Sequence, residues 1–98
     1  MAKPISKVLA KIDESSDKKW FVYILECKGK LLYTGMTNDL KRRFKEHKSG
    51  NGGKFTRTFK AKKILYFERF DTRKEAMSRE ARIKRLPKLK KLALISAF

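Results

Sequence analysis

The chain has 98 residues, 41 % of them hydrophobic, which suits one domain around one small core. Its 27 basic residues outweigh 10 acidic ones, giving a net charge of +17 that falls almost entirely beyond residue 18. Charge this dense opposes compaction and favours a polyanionic partner, nucleic acid first, while the lone Cys27 rules out an intrachain disulfide and a cysteine metal cage.

Residues 1–18 read as a loose N-terminal arm. Ile5, Val8, Leu9 and Ile12 can line one helical turn, and Asp13 to Asp17 resembles a linker. No secretory apolar segment occurs there, so a cytoplasmic location is expected. No apolar run approaches the roughly 20 residues needed to cross a bilayer, and no long helix pairs a basic with an aromatic face, so no membrane partner is expected. The domain proper is expected over residues 19–98.

Trp20 to Cys27 is aromatic and β-branched, as in a strand buried on both faces, with Cys27 a buried free thiol. Lys28-Gly29-Lys30 forms a tight turn into a returning strand, Leu31 to Gly35. Asn38 or Thr37 can cap a helix running to Lys48, with Asp39 in its first turn, and Gly50 ends it. Leu40, Phe44 and His47 can share one face of that helix. Asn51 to Thr58 is expected to be a Gly-rich basic loop, and Ile64 to Phe70 a third strand. Thr72-Arg73-Lys74-Glu75 fits a capping box that opens a helix to about Leu86. Pro87 breaks it and starts a last helix, Lys88 to Ser96. The fold class is α+β: a small three-stranded antiparallel sheet flanked by helices, in the order β-β-α-β-α-α.

Hydrolysis of a phosphodiester needs an oriented water, charge neutralisation on the equatorial oxygens and stabilisation of the leaving oxygen. Tyr23 and Tyr33 on the paired strands can align a water or take its proton if a metal or nearby cations ease ionisation of the phenol; alternatively they are ordinary strand tyrosines. Arg43 and His47 are four residues apart on one helix face. Arg43 can fork onto a phosphate and His47 can relay a proton, or both can belong to a solvated helix flank. Glu80 lies amid Arg79, Arg82 and Lys84 as a salt-bridge partner or a metal ligand. One carboxylate can suffice for Mg²⁺, which keeps several waters, although binding without substrate would be weak. Glu75 is a rival ligand that capping already explains; Glu68 lies in a strand, and Glu46 can pair with Arg42.

Together these residues resemble the GIY-YIG nuclease superfamily over about Trp20 to Ile95. Tyr23 resembles the tyrosine closing the first family motif, and Tyr33-Thr34-Gly35 the second. Arg43 is similar to the family's helix arginine, His47 to a histidine used by some members, and Glu80 to the single metal-binding glutamate. The stretches Gly50 to Arg57, Thr72 to Glu80 and Ile83 to Leu86 resemble a small stand-alone bacterial subfamily of nucleases inferred from sequence. The resemblance implies one-metal hydrolysis with one Mg²⁺ or Mn²⁺ on Glu80, and a tyrosine as base or water-orienting group. Phe21 stands where the family motif has glycine, Val22 and Thr34 where it has isoleucine. Lys91-Leu92-Ala93 occupies the neighbourhood where several members carry asparagine.

Lys41, Arg42, Lys45, Lys54, Arg57, Lys84 and Arg85 are the candidate DNA-backbone contacts, and such contacts position a duplex without reading it. Phe55 and Phe59 can either stack on an unpaired base or anchor their loop to the core. The leading expectation is a metal-dependent DNA endonuclease of low sequence specificity, with junctions, flaps or damaged sites as candidate substrates in repair or recombination. The alternative is a nucleic-acid-binding module that keeps the fold without catalysis. A third reading is a basic adaptor, and a larger protein partner could supply specificity.

Overall fold

The computed structural model describes residues 18–98; the expected arm, residues 1–17 above all, lies outside the described residues. Three strands, β1 (Trp20–Cys27), β2 (Leu31–Thr37) and β3 (Ala61–Phe70), form an antiparallel sheet in the order β2-β1-β3. The helices are α1 (Leu40–Ser49), α2 (Lys54–Thr58), α3 (Arg73–Arg85) and α4 (Lys88–Ser96). No described helix is long and apolar enough to cross a membrane.

The central strand explains the architecture. Successive β-strand side chains point to opposite faces. Phe21, Tyr23, Leu25 and Cys27 pack on one face with Leu40 and Phe44 of α1; Val22 and Ile24 pack on the other with Ala76 and Ile83 of α3 and Leu94 of α4. Both faces being covered, β1 needs no polar side, as its near-continuous apolar sequence requires. Cys27 is fully buried, and burial pushes its thiol pKa up. Phe21, which replaces a motif glycine, fills core space: it meets Phe67 edge-on at 5.8 Å, and the Arg69 guanidinium lies 4.6 Å from its ring centroid.

The α+β class and the antiparallel three-stranded sheet are as expected, with local corrections. The segment between α1 and β3 is not all loop, because Lys54–Thr58 winds into α2, and β3 begins three residues earlier than expected, at Ala61. The short turn after β1 is 3₁₀. Asp39, not Asn38 or Thr37, caps α1, accepting from the Arg42 backbone N–H at 3.1 Å, while Thr37 Oγ1 accepts from the Asp39 N–H at 3.1 Å. The capping box of α3 is complete, with Thr72 N–H donating to Glu75 Oε1 at 3.1 Å and Glu75 N–H to Thr72 Oγ1 at 3.2 Å.

A polar clamp not anticipated from sequence ties α3 to β3. Arg79 donates through Nε (3.0 Å) and Nη2 (2.9 Å) to Glu68, which also accepts from the Tyr66 hydroxyl. Burial, with Glu68 beside it, pushes the Tyr66 pKa up to about 12. The partnership occupies Glu68 and removes it from the candidate metal ligands.

One buried polar atom is unsatisfied: Thr34 Oγ1 has no hydrogen-bond partner among the described residues. Leaving a hydroxyl so costs more than replacing it by an isosteric methyl. Thr34→Val should raise unfolding stability in urea by about 1 kcal/mol; a loss of stability would show that the hydroxyl finds a partner in solution.

Candidate active site

Tyr23 sits at the middle of β1, opposite Gly35 of β2 and Phe67 of β3, with its ring on the α1 face. Its phenol crosses the β2 backbone at Gly35. A Cβ added there would overlap the Tyr23 hydroxyl and come within 2.6 Å of its Cζ, so the glycine of the Tyr33-Thr34-Gly35 motif is a space requirement of the tyrosine opposite.

The Tyr23 hydroxyl lies 2.9 Å from His47 Nε2, and His47 Nδ1 lies 2.7 Å from Thr56 Oγ1 of α2. His47 is 1 % exposed, so the reading of it as part of a solvated helix flank is overturned: it falls on the buried face of α1 with Leu40 and Phe44. Gly52 lets the chain after α1 close over the imidazole, since a Cβ there would meet His47 Cα and Cγ at 2.8 Å. Burial first, and the Arg43 charge second, lower the His47 pKa to about 4. The ring is therefore neutral at pH 7 and has one donor and one acceptor nitrogen.

The two His47 ring nitrogens face the Tyr23 and Thr56 hydroxyls, so one hydroxyl donates to the neutral ring and the other accepts from it. The Arg43 guanidinium donates to Glu46 Oε1 at 3.0 Å and to the Gly52 carbonyl at 2.8 Å, and its charge lies near the Tyr23 phenol. Burial works against the Arg43 charge, but Glu46 and the Tyr23 oxygen nearby outweigh it and raise its pKa.

For Tyr23 itself, burial comes first and the Tyr33 phenol second in raising the pKa; Arg43 opposes this and the Glu80 charge adds to it. In the metal-free protein the loss of solvent outweighs Arg43, and the phenol keeps its proton. Tyr33 is half-buried, with its ring centroid 5.0 Å from that of His47 and 6.4 Å from that of Tyr23.

Glu80 lies mid-α3, 18 % exposed, and among the described residues its ion pair is a 3.7 Å contact with Lys84. Among the described residues no three His, Cys, Asp or Glu side chains cluster as a metal cage would require. Glu80 therefore fits only a water-rich ion such as Mg²⁺ that takes one carboxylate and substrate phosphate. The rival Glu75 is committed to its capping box, and Glu46 bonds chiefly to Arg43, with Arg42 at 3.9 Å.

The structure thus brings Tyr23, Tyr33, Arg43 and His47 together, with Glu80 close enough to act electrostatically on Tyr23. Three supporting groups escaped the sequence reading: Thr56, the Gly52 carbonyl and Glu46 as the Arg43 partner. The residue pattern carries no cue to Thr56, nine residues beyond His47. The basic residues Lys41, Arg42, Lys45, Lys54, Arg57, Lys84 and Arg85 are all exposed, on helices of both layers.

The GIY-YIG catalytic domain model matches residues 19–93, and the chain belongs to the GIY-YIG family. It is 49 % identical over 79 residues to a UPF0213 protein of Cupriavidus necator, covering 81 % of this chain and 86 % of that one. It is 51 % identical over 77 residues to a UPF0213 protein of Clostridium perfringens, covering 79 % and 83 %. The solution NMR structure of a UPF0213 protein from Bacillus halodurans superposes with a TM-score of 0.51 at 42 % identity, covering 80 % and 83 %.

Burying His47 neutral links its protonation to folding. Its pKa falls from 6.5 in the unfolded chain to about 4 in the fold, so the unfolded state binds the extra proton and stability declines as pH falls through that interval. Between pH 6.5 and pH 5 the loss should be about 1.5 kcal/mol. His47→Gln should remove this slope in urea unfolding at the two pH values; an unchanged slope would assign it to other groups.

Proposed function

We propose that this protein is an endonuclease that hydrolyses DNA phosphodiester bonds with low sequence specificity, dependent on Mg²⁺ or Mn²⁺ at Glu80. The observation that carries the reading is the Tyr23 hydroxyl bonded to His47, with the Arg43 and Glu80 charges near it. In this reading the phenol donates to His47 Nε2 and its oxygen keeps a lone pair free to orient a water. As the water oxygen bonds to phosphorus and the P–O3′ bond breaks, the water's proton is lost to solvent and the departing O3′ takes one up, while Tyr23 and His47 stay neutral. Arg43 retains N–H donors beyond those used by Glu46 and Gly52, and these neutralise the equatorial oxygens. Glu80 would hold a divalent ion, which when bound would supply Lewis-acid stabilisation of the departing oxygen. Lys41, Arg42, Lys45, Lys54, Arg57, Lys84 and Arg85 hold the backbone without reading sequence.

The test is nicking of labelled single-stranded, duplex, flap, fork and four-way-junction DNA with Mg²⁺ or Mn²⁺. Wild type should cleave and Glu80→Gln should bind without cleaving; binding by both without cleavage would leave a nucleic-acid-binding module. Arg43→Ala should slow cleavage at least ~100-fold, the scale of a lost oxyanion donor. Arg42→Ala, which removes a peripheral charge, should slow it less than about threefold; equal losses would reduce Arg43 to a charge on the surface.

A further inference from the structure

The site does not end at Tyr33. The Tyr33 ring lies 5.6 Å from Phe55, which lies 5.1 Å from Phe59, so a run of aromatic rings leads from His47 outward to the surface. Phe55 and Phe59 are four residues apart and share one side of α2, with the Phe59 N–H closing onto the Phe55 carbonyl at 2.8 Å. Thr56, 1 % exposed, faces inward from the same short helix and binds His47. The bond that orients His47 therefore also sets the height and tilt of the two phenyl rings.

Packing on Tyr33 leaves part of each ring open, since Phe55 and Phe59 are 37 % and 38 % exposed. Phe59 also forms a wall of an open groove of about 420 Å³ with Leu31, Thr58, Lys28 and Gly29. Lys28 is exposed, its N–H donates to the carbonyl of the exposed Lys60 at 2.9 Å, and the exposed Lys54 and Arg57 lie on α2 itself. Exposed rings beside exposed cations are complementary to a nucleobase bearing phosphate, and base–aromatic stacking tolerates any sequence. In duplex DNA the base faces are already stacked, so only an unpaired nucleotide can use the surface.

We infer that Phe55 and Phe59 form a stacking platform for an unpaired nucleotide next to the scissile phosphate, with Lys28 and Lys60 on its phosphates. The inference rests on the endonuclease reading and names its substrate class: DNA in which a single-stranded segment adjoins the cut, rather than fully paired duplex.

The test uses the full chain in EDTA, where binding is read without cleavage. A hairpin carrying a single-stranded overhang with 2-aminopurine at the junction is compared with a blunt duplex of equal length. Wild type should bind the overhang more tightly and quench its fluorescence. Phe59→Ala should weaken overhang binding roughly tenfold, with lost quenching and unchanged blunt-duplex affinity. Phe59→Trp should restore both, whereas Phe59→Leu, which keeps apolar bulk, should not. Rescue by leucine, equal losses on both DNAs, or no loss would overturn the platform and leave the nuclease reading intact. Failure of wild type to bind either DNA would overturn both.

Discussion

The imidazole of His47, buried and neutral between a phenol and a threonine hydroxyl, organises this molecule. Buried polar side chains are tolerated when every donor and acceptor is matched. Matching this one recruits β1 through Tyr23, α1 through His47 itself and α2 through Thr56. Removing any member would strand the others in an apolar setting. The same chain of bonds fixes the position of the Tyr23 hydroxyl.

Close packing makes those contacts reachable. Tyr23 crosses β2 only because Gly35 has no side chain, and the chain covers His47 only because Gly52 has none. The Gly52 carbonyl then accepts from Arg43, which also donates to Glu46, so the guanidinium is held in one orientation. The exposed lysines and arginines differ from it: their charge acts at long range and is screened by salt.

Much of this was legible in the sequence because it rests on local rules. The apolar run Trp20 to Cys27 required cover on both faces, and Thr72 to Glu75 spelled out a capping box that the fold contains. The alignment of Arg43 and His47 followed from helical spacing, but their depth of burial did not, since it depends on what the next segment does. That segment was read as loop because Gly52 and Gly53 precede only five helical residues and no side chain caps them. Missing α2 meant missing Thr56, the partner of His47 Nδ1. The Glu68–Arg79 clamp escaped for a similar reason, joining residues eleven apart on different elements. Composition shows the cations around a phenol but not the solvent it has lost, and that loss is what raises the Tyr23 pKa.

The protonation state of His47 is the most direct test. Long-range ¹H–¹⁵N NMR of ¹⁵N-histidine-labelled protein resolves the imidazole tautomer, and His47 is the sole histidine. A neutral ring protonated at Nδ1, unchanged on acidification from pH 7 to pH 5.5, is the expected result. An imidazolium at pH 6.5, or a hydrogen on Nε2 pointing at Tyr23, would contradict the arrangement proposed for Tyr23 and His47.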